Sequence, residues 1–302
     1  MEVRPIQSVR KTQFRIYSTD KVAVICTSKV ASRYLSGVFK DIGGYENNRK
    51  CSNEFHVNDS MEIEHEKNLE PCTELSAYDE INLILNKKSK KDIIFLYRNP
   101  MDRIKTGLVQ DFKGIFNASH SSIYQMWLLI SSALDIDRNN INEIQPYIDF
   151  FNKMPDGHKT VSEFLEDGVF YDNVKKLLES YIEYNMKYEF NRTTHVSNYL
   201  DKLYCLVFNS GADTRKIKLV NIDAGPYLLQ QTLLPYFEGF EDVFETVNKQ
   251  SNNVFIKMVN EILNENQRYE KQLLEYVSSD ILFYNLLKKS NLNAIPNPKD
   301  EI

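Results

Sequence analysis

Apolar residues crowd two short runs, VAVIC at 22–26 and IIFLY at 93–97, each followed by a polar turn and then by apolar positions at helical spacing. Short apolar runs rich in β-branched residues and bounded by turn residues read as strands buried on both faces. After the first run come Thr27-Ser28-Lys29-Val30-Ala31-Ser32, then Leu35, Val38, Phe39 and Ile42, closed by Gly43-Gly44. After the second, Arg98-Asn99-Pro100 leads into MDRIKTGLVQDF. Asn99 is a good N-cap, and Pro100 fits the first helical position, where its missing N–H costs nothing. Each unit is therefore strand, loop, helix, with a helical stretch around Tyr78 to Asn86 between them. The expected class is α/β: a central parallel sheet flanked by helices, with functional groups at the carboxyl ends of its strands.

Downstream, helical patterns cover Ser121 to Leu134 and a segment opening at the capping box Thr160-Val161-Ser162-Glu163. The runs Tyr204 to Phe208 and Ile217 to Ile222 are candidates to return to the sheet, and the C-terminal part is helix-rich. No internal repeat interrupts this order, so one domain over 1–302 is expected, with its core over about 20–288 and a polar, disordered tail over 290–302.

Composition narrows the function classes. A chain of 302 residues that is 42% hydrophobic supplies one substantial core, and no apolar stretch reaches membrane length, so a soluble protein with no membrane partner is expected. The segment MEVRPIQSVRKTQFRIYSTDK has no signal-peptide-like apolar core, and the four cysteines include no CxxC pair. Both favour a cytoplasmic, reduced protein. A net charge of −5 argues against a nucleic-acid partner, which usually needs a broad basic face. His65, His120 and His158 have no metal-ligand spacing, so no metal is expected.

The first loop presents Lys29 and Ser32 ahead of a helix N-terminus, where backbone N–H groups and the helix dipole favour an anion. It is not the ATP-binding loop Gly-x-x-x-x-Gly-Lys-Ser/Thr, because no glycine lies between Val22 and Ser36. Lys29-x-x-Ser32-Arg33 between a strand and a helix resembles the 5'-phosphosulfate loop of sulfotransferases that use 3'-phosphoadenosine 5'-phosphosulfate (PAPS). The segment from Tyr97 to Gly107 is similar to the same family's 3'-phosphate element, with Arg98 as the family arginine and Thr106 where serine is usual. A strand-end guanidinium offers a fork of donors, to which a helical hydroxyl can add another. Three further segments resemble the carbohydrate and heparan branches: Asn53-Glu54-Phe55-His56, Thr194-His195-Val196-Ser197-Asn198-Tyr199, and the C-terminal stretch from Leu274 to Tyr284. Departures are Ser28 for a frequent proline, Val30-Ala31 for a glycine-containing pair, and Asn99 for the commoner aspartate.

The resemblance implies a P-loop-like sulfotransferase fold, PAPS as donor and no metal. The acceptor would be a hydroxyl or amine, on a carbohydrate-like glycan or a small molecule. Lys29 would offset charge on the leaving phosphate, Ser32 would bond the 5'-phosphate or simply cap its helix, and Arg33 and Arg98 would reach the 3'-phosphate. For Arg98 the plain alternative is pairing with a carboxylate; for Thr106 it is bonding to its own backbone. Glu54 is the first candidate base and His56 the second, both on a polar loop ahead of a helix. His195 would contact the acceptor or hydrogen-bond within the core. The rivals are an atypical kinase, which would need Mg²⁺, and a non-catalytic nucleotide-binding protein of the same fold.

Overall fold

The computed structural model describes residues 14–19, 21–27, 30–31, 34–35, 37–39, 52–57, 63–70, 91–115, 123–152, 168–187, 217–237 and 254–291. Six strands form one sheet in the order β4-β3-β1-β2-β5-β6. They are β1 (Phe14–Ser18), β2 (Val22–Thr27), β3 (Ser52–Val57), β4 (Ile63–Glu70), β5 (Asp92–Tyr97) and β6 (Ile217–Asn221). As the apolar runs predict, β2, β5 and β6 are parallel neighbours, with Val22 opposite Asp92, Ile25 opposite Phe95 and Tyr97 opposite Asn221. From Val22 to Cys26 every side chain is fully buried, and Ile93 to Tyr97 are nearly so, as strands covered on both faces require.

The other half of the sheet departs from expectation: β1, β3 and β4 join by antiparallel pairing. A short connection allows no crossover, so β1 and β2 form a hairpin. Thr19 closes it, its N–H donating to the Val22 carbonyl (2.8 Å) and its Oγ1 accepting from the Val22 N–H (3.2 Å). Glu54 and His56 were expected on a loop, but they lie in β3. Glu54-Phe55-His56-Val57 alternates polar with apolar, the period of a half-buried strand, yet it has no apolar run to announce itself. Its partner β4, IEHEKNLE, is more polar still, and such charge suits the edge position, where it deters pairing with another chain.

The chain divides into two compact units. The sheet unit comprises residues 10–103, 197–249 and 277–302. Its core joins β2, β5 and β6 to Leu35, Val38 and Phe39, to Leu229 and Leu233 of α5 (Pro226–Leu233), and to Tyr284 and Leu287 of α8 (Ser278–Asn291). Phe39 lies 5.3 Å from Tyr17 and 5.5 Å, edge-on, from Phe237. Burying a ring of this size stabilises by roughly 1.5–3 kcal/mol, enough to hold the helix after β2 on the sheet. The helical unit, 1–9, 104–196 and 250–276, takes most of α1 (Pro100–Ile115) with α2 (Ile123–Leu134), α3 (Ile141–Asn152), α4 (Gly168–Lys187), α6 (Val254–Glu265) and α7 (Gln267–Tyr276). Phe112 is its aromatic centre, 5.4 Å from Phe151 and 5.7 Å from Tyr181. Among the described residues no helix is long and apolar enough to cross a membrane. The expected helix around Tyr78 to Asn86, the capping box Thr160 to Glu163 and the expected strand Tyr204 to Phe208 lie outside the described residues, as do 292–302 of the expected tail, whose first two residues instead end α8.

Tyr34 shows what this packing costs. Among the described residues its buried hydroxyl has no hydrogen-bond partner, and burial pushes its pKa up to about 12 from 10.0. A buried donor without a partner forfeits its hydration for nothing in return. Tyr34→Phe should therefore raise stability at neutral pH by about 1 kcal/mol. Because the folded pKa lies above the unfolded one, the neutral phenol's stability contribution is intact below pH 10.0 and is lost as pH rises through about 12. The variant should show a shallower alkaline decline than wild type over that window. Urea titrations from neutral to alkaline pH check both parts; a destabilised Tyr34→Phe would mean that the hydroxyl does have a partner.

Candidate functional site

Because β2, β5 and β6 run the same way, the three segments that follow them leave the sheet at one edge. In open α/β sheets this carboxyl edge is where ligands bind.

Past β2, the Thr27 carbonyl accepts from the Val30 N–H (3.2 Å), and the Ala31 carbonyl accepts from the Leu35 N–H (3.0 Å), opening the next helix. Ala31 has φ +57°, a left-handed conformation that costs an L-residue roughly 1–2 kcal/mol and that glycine adopts readily. At this one position the backbone takes the conformation that a glycine would take. Lys29, Ser32 and Arg33, and likewise His195, lie outside the described residues.

Past β5, Asn99 is the N-cap that its sequence context predicts: Oδ1 accepts from the Met101 N–H (2.9 Å) and less closely from that of Asp102 (3.4 Å). Arg103, one turn into α1, is 2% exposed, and its Nε donates to Thr27 Oγ1 at 3.3 Å, tying the end of β2 to the helix after β5. Arg98 pairs with a carboxylate, the plain alternative for a strand-end arginine: its Nε lies 3.3 Å from Asp223 Oδ1. Thr106 sits half-buried on α1 within the helical unit.

Past β6, Asn221 Oδ1 accepts from the Asp223 N–H (3.0 Å), and Gly225-Pro226 starts α5. Asp223 Oδ2 then accepts from the Asn99 N–H at 2.6 Å and, at the 3.5 Å limit, from the Tyr284 hydroxyl. Tyr284 in turn accepts from Asn221 Nδ2 at 3.4 Å. Burial first, and the nearby Asp223 charge as well, push the Tyr284 phenol above its ordinary value, while the Asn221 bond pulls the other way. Among the described residues the edge therefore brings together the Arg98 and Arg103 guanidinium groups, the Asp223 carboxylate, and a set of amides and hydroxyls. Among the described residues no group of three His, Cys, Asp or Glu could hold a metal ion.

The two candidate bases belong to the same sheet. Register places His56 in the row of Arg15 and Cys26, and Glu54 in the row of Tyr17 and Val24. Val57, Phe14 and Thr27 form the outermost row, so His56 is one residue inside the edge and Glu54 is deeper. Two strand spacings, roughly 10 Å, separate the β3 and β2 backbones.

Asp223 and Asn221 were missed because the apolar run ending at Ile222 reads as a strand, and the polar turn beyond it carries no motif. The signal was the pattern Asn-Ile-Asp-Ala-Gly-Pro at a strand end, which puts a capping amide and a carboxylate before a helix start. No family model, curated protein or solved structure matches the chain.

If the loop after β2 holds its left-handed turn without glycine, Ala31→Gly should raise the urea midpoint by the equivalent of about 0.5–1 kcal/mol with an unchanged slope. At an ordinary negative φ the same substitution destabilises by roughly 0.5–1 kcal/mol, so the sign of the change decides.

Proposed function

We propose that this chain is a sulfotransferase that uses PAPS as donor, binds it along the carboxyl edge of β2 and β5, and passes the sulfuryl group to a hydroxyl or amine of a carbohydrate-like acceptor. The observation that carries the reading is the direct parallel pairing of β2 with β5, since the Lys29 to Arg33 loop and Arg98 follow these two adjacent strands. The left-handed turn at Ala31 and the Arg103 to Thr27 bond add support, because they shape and brace the loop that would cradle the 5'-phosphate. The P-loop-like sulfotransferase fold is part of the same proposal.

In this reading the acceptor oxygen or nitrogen attacks sulfur in line as the bond from sulfur to the bridging oxygen breaks. The bridging oxygen keeps the electron pair, and adenosine 3',5'-diphosphate leaves. Lys29 offsets the charge growing on that oxygen, and Ser32 with the loop N–H groups holds the 5'-phosphate. Arg98, with Arg33, meets the 3'-phosphate. The acceptor's proton passes to a base on β3; its register nearer the edge favours His56 over Glu54 for that role.

Calorimetric or thermal-shift titration with adenosine 3',5'-diphosphate tests the reading on wild type, Lys29→Ala and Arg98→Ala. A ligand specific to the native state stabilises by about 2.7 kcal/mol at a hundredfold excess over its Kd. Wild type should show this, Arg98→Ala should lose most of it, and ADP should not reproduce it. The pair broken in Arg98→Ala is partly exposed and contributes at most about 1 kcal/mol, so this variant should fold. Absence of binding by wild type would overturn the reading, and preference for ADP with Mg²⁺ would replace it with a kinase.

A further inference from the structure

We infer that Asp223 is a positioning residue that sets the aim of Arg98 toward the ligand's 3'-phosphate; the inference rests on the function proposed above. Three observations carry it. The carboxylate is bound at both oxygens, Oδ2 by the Asn99 N–H at 2.6 Å and Oδ1 by Arg98 Nε at 3.3 Å. It is itself seated by the turn after β6, where Asn221 Oδ1 accepts its backbone N–H at 3.0 Å. It also receives the Tyr284 hydroxyl at 3.5 Å, and the Tyr284 ring lies 5.8 Å, edge-on, from that of Tyr97, the residue before Arg98.

A lone strand-end arginine has a long, freely rotating stem, and fixing it at the moment of binding lowers affinity. A carboxylate that grips Nε fixes the plane of the guanidinium group before a phosphate arrives. The same carboxylate holds the first N–H of the turn into α1, so the strand end and the arginine on it are fixed together. Asp223 touches no reacting atom in this scheme and acts only through Arg98.

The effect has a sign that separates it from simple charge. Asp223 is negative, so if it only neutralised Arg98, removing its charge would tighten an anionic ligand. If it positions Arg98, removal weakens the ligand instead. Asp223→Asn keeps an oxygen for the Asn99 N–H while giving up the grip on Nε. Titrations should compare adenosine 3',5'-diphosphate with adenosine 5'-monophosphate, which lacks only the 3'-phosphate, at salt high enough to screen long-range charge. The expected result is a loss of about fivefold to tenfold for the diphosphate with the monophosphate unchanged. Asp223→Ser, a smaller replacement that also frees Nε, should give the same split. A tighter or unchanged diphosphate, or an equal loss for both nucleotides, would overturn the inference and leave the donor site standing. Wild type binding neither nucleotide would overturn the proposed function, and this inference with it.

Discussion

Strands with no polar face must lie side by side in the interior of a sheet, and β2 and β5 meet that demand by pairing in parallel from Val22 and Asp92 to Ile25 and Phe95. That ladder fixes more than a core. Parallel neighbours send their continuing segments to one edge, so the Lys29 loop and the Arg98 turn start a single strand spacing apart, roughly 5 Å, although about seventy residues of chain separate them. β6 adds a third segment at the same edge, and with it Asp223. The edge chemistry follows from strand direction, and strand direction follows from burial.

Guanidinium groups at a strand edge need partners, and the structure shows how these two are held. Arg103 is nearly fully buried, and a buried guanidinium needs hydrogen bonds, of which the one to Thr27 Oγ1 also ties the end of β2 to α1. Arg98 is less buried and is gripped by Asp223. Ala31 keeps a backbone conformation suited to glycine, a local strain the surrounding core sustains through Leu35, Val38 and Phe39. Helix starts at Pro100 and Pro226 put further N–H groups at this edge, and Asn99 and Asp223 occupy several of them.

The parallel centre of the sheet was legible because VAVIC and IIFLY are apolar throughout, and the cap at Asn99-Pro100 because capping is local chemistry. The antiparallel half was not. In FRIYS, SNEFHV and IEHEKNLE the apolar residues are few and interleaved with charge, and such strands exist through their partners rather than their own propensity. Glu54 and His56 were misassigned to a loop for that reason. The partnership of Arg98 with Asp223 joins residues more than a hundred positions apart, and a sequence offers no local pattern for that. Tyr284 stood within a segment singled out by resemblance, but its link to Asn221 and Asp223 came only with the fold.

Hydrogen exchange with and without adenosine 3',5'-diphosphate tests the central claim most directly, because it reads both loops in one experiment. The account predicts slowed amide exchange together at 28–35, after β2, and at 99–103, after β5, in proportion to nucleotide bound. Protection of one segment without the other, or of neither, would contradict a single site built across the two parallel strands.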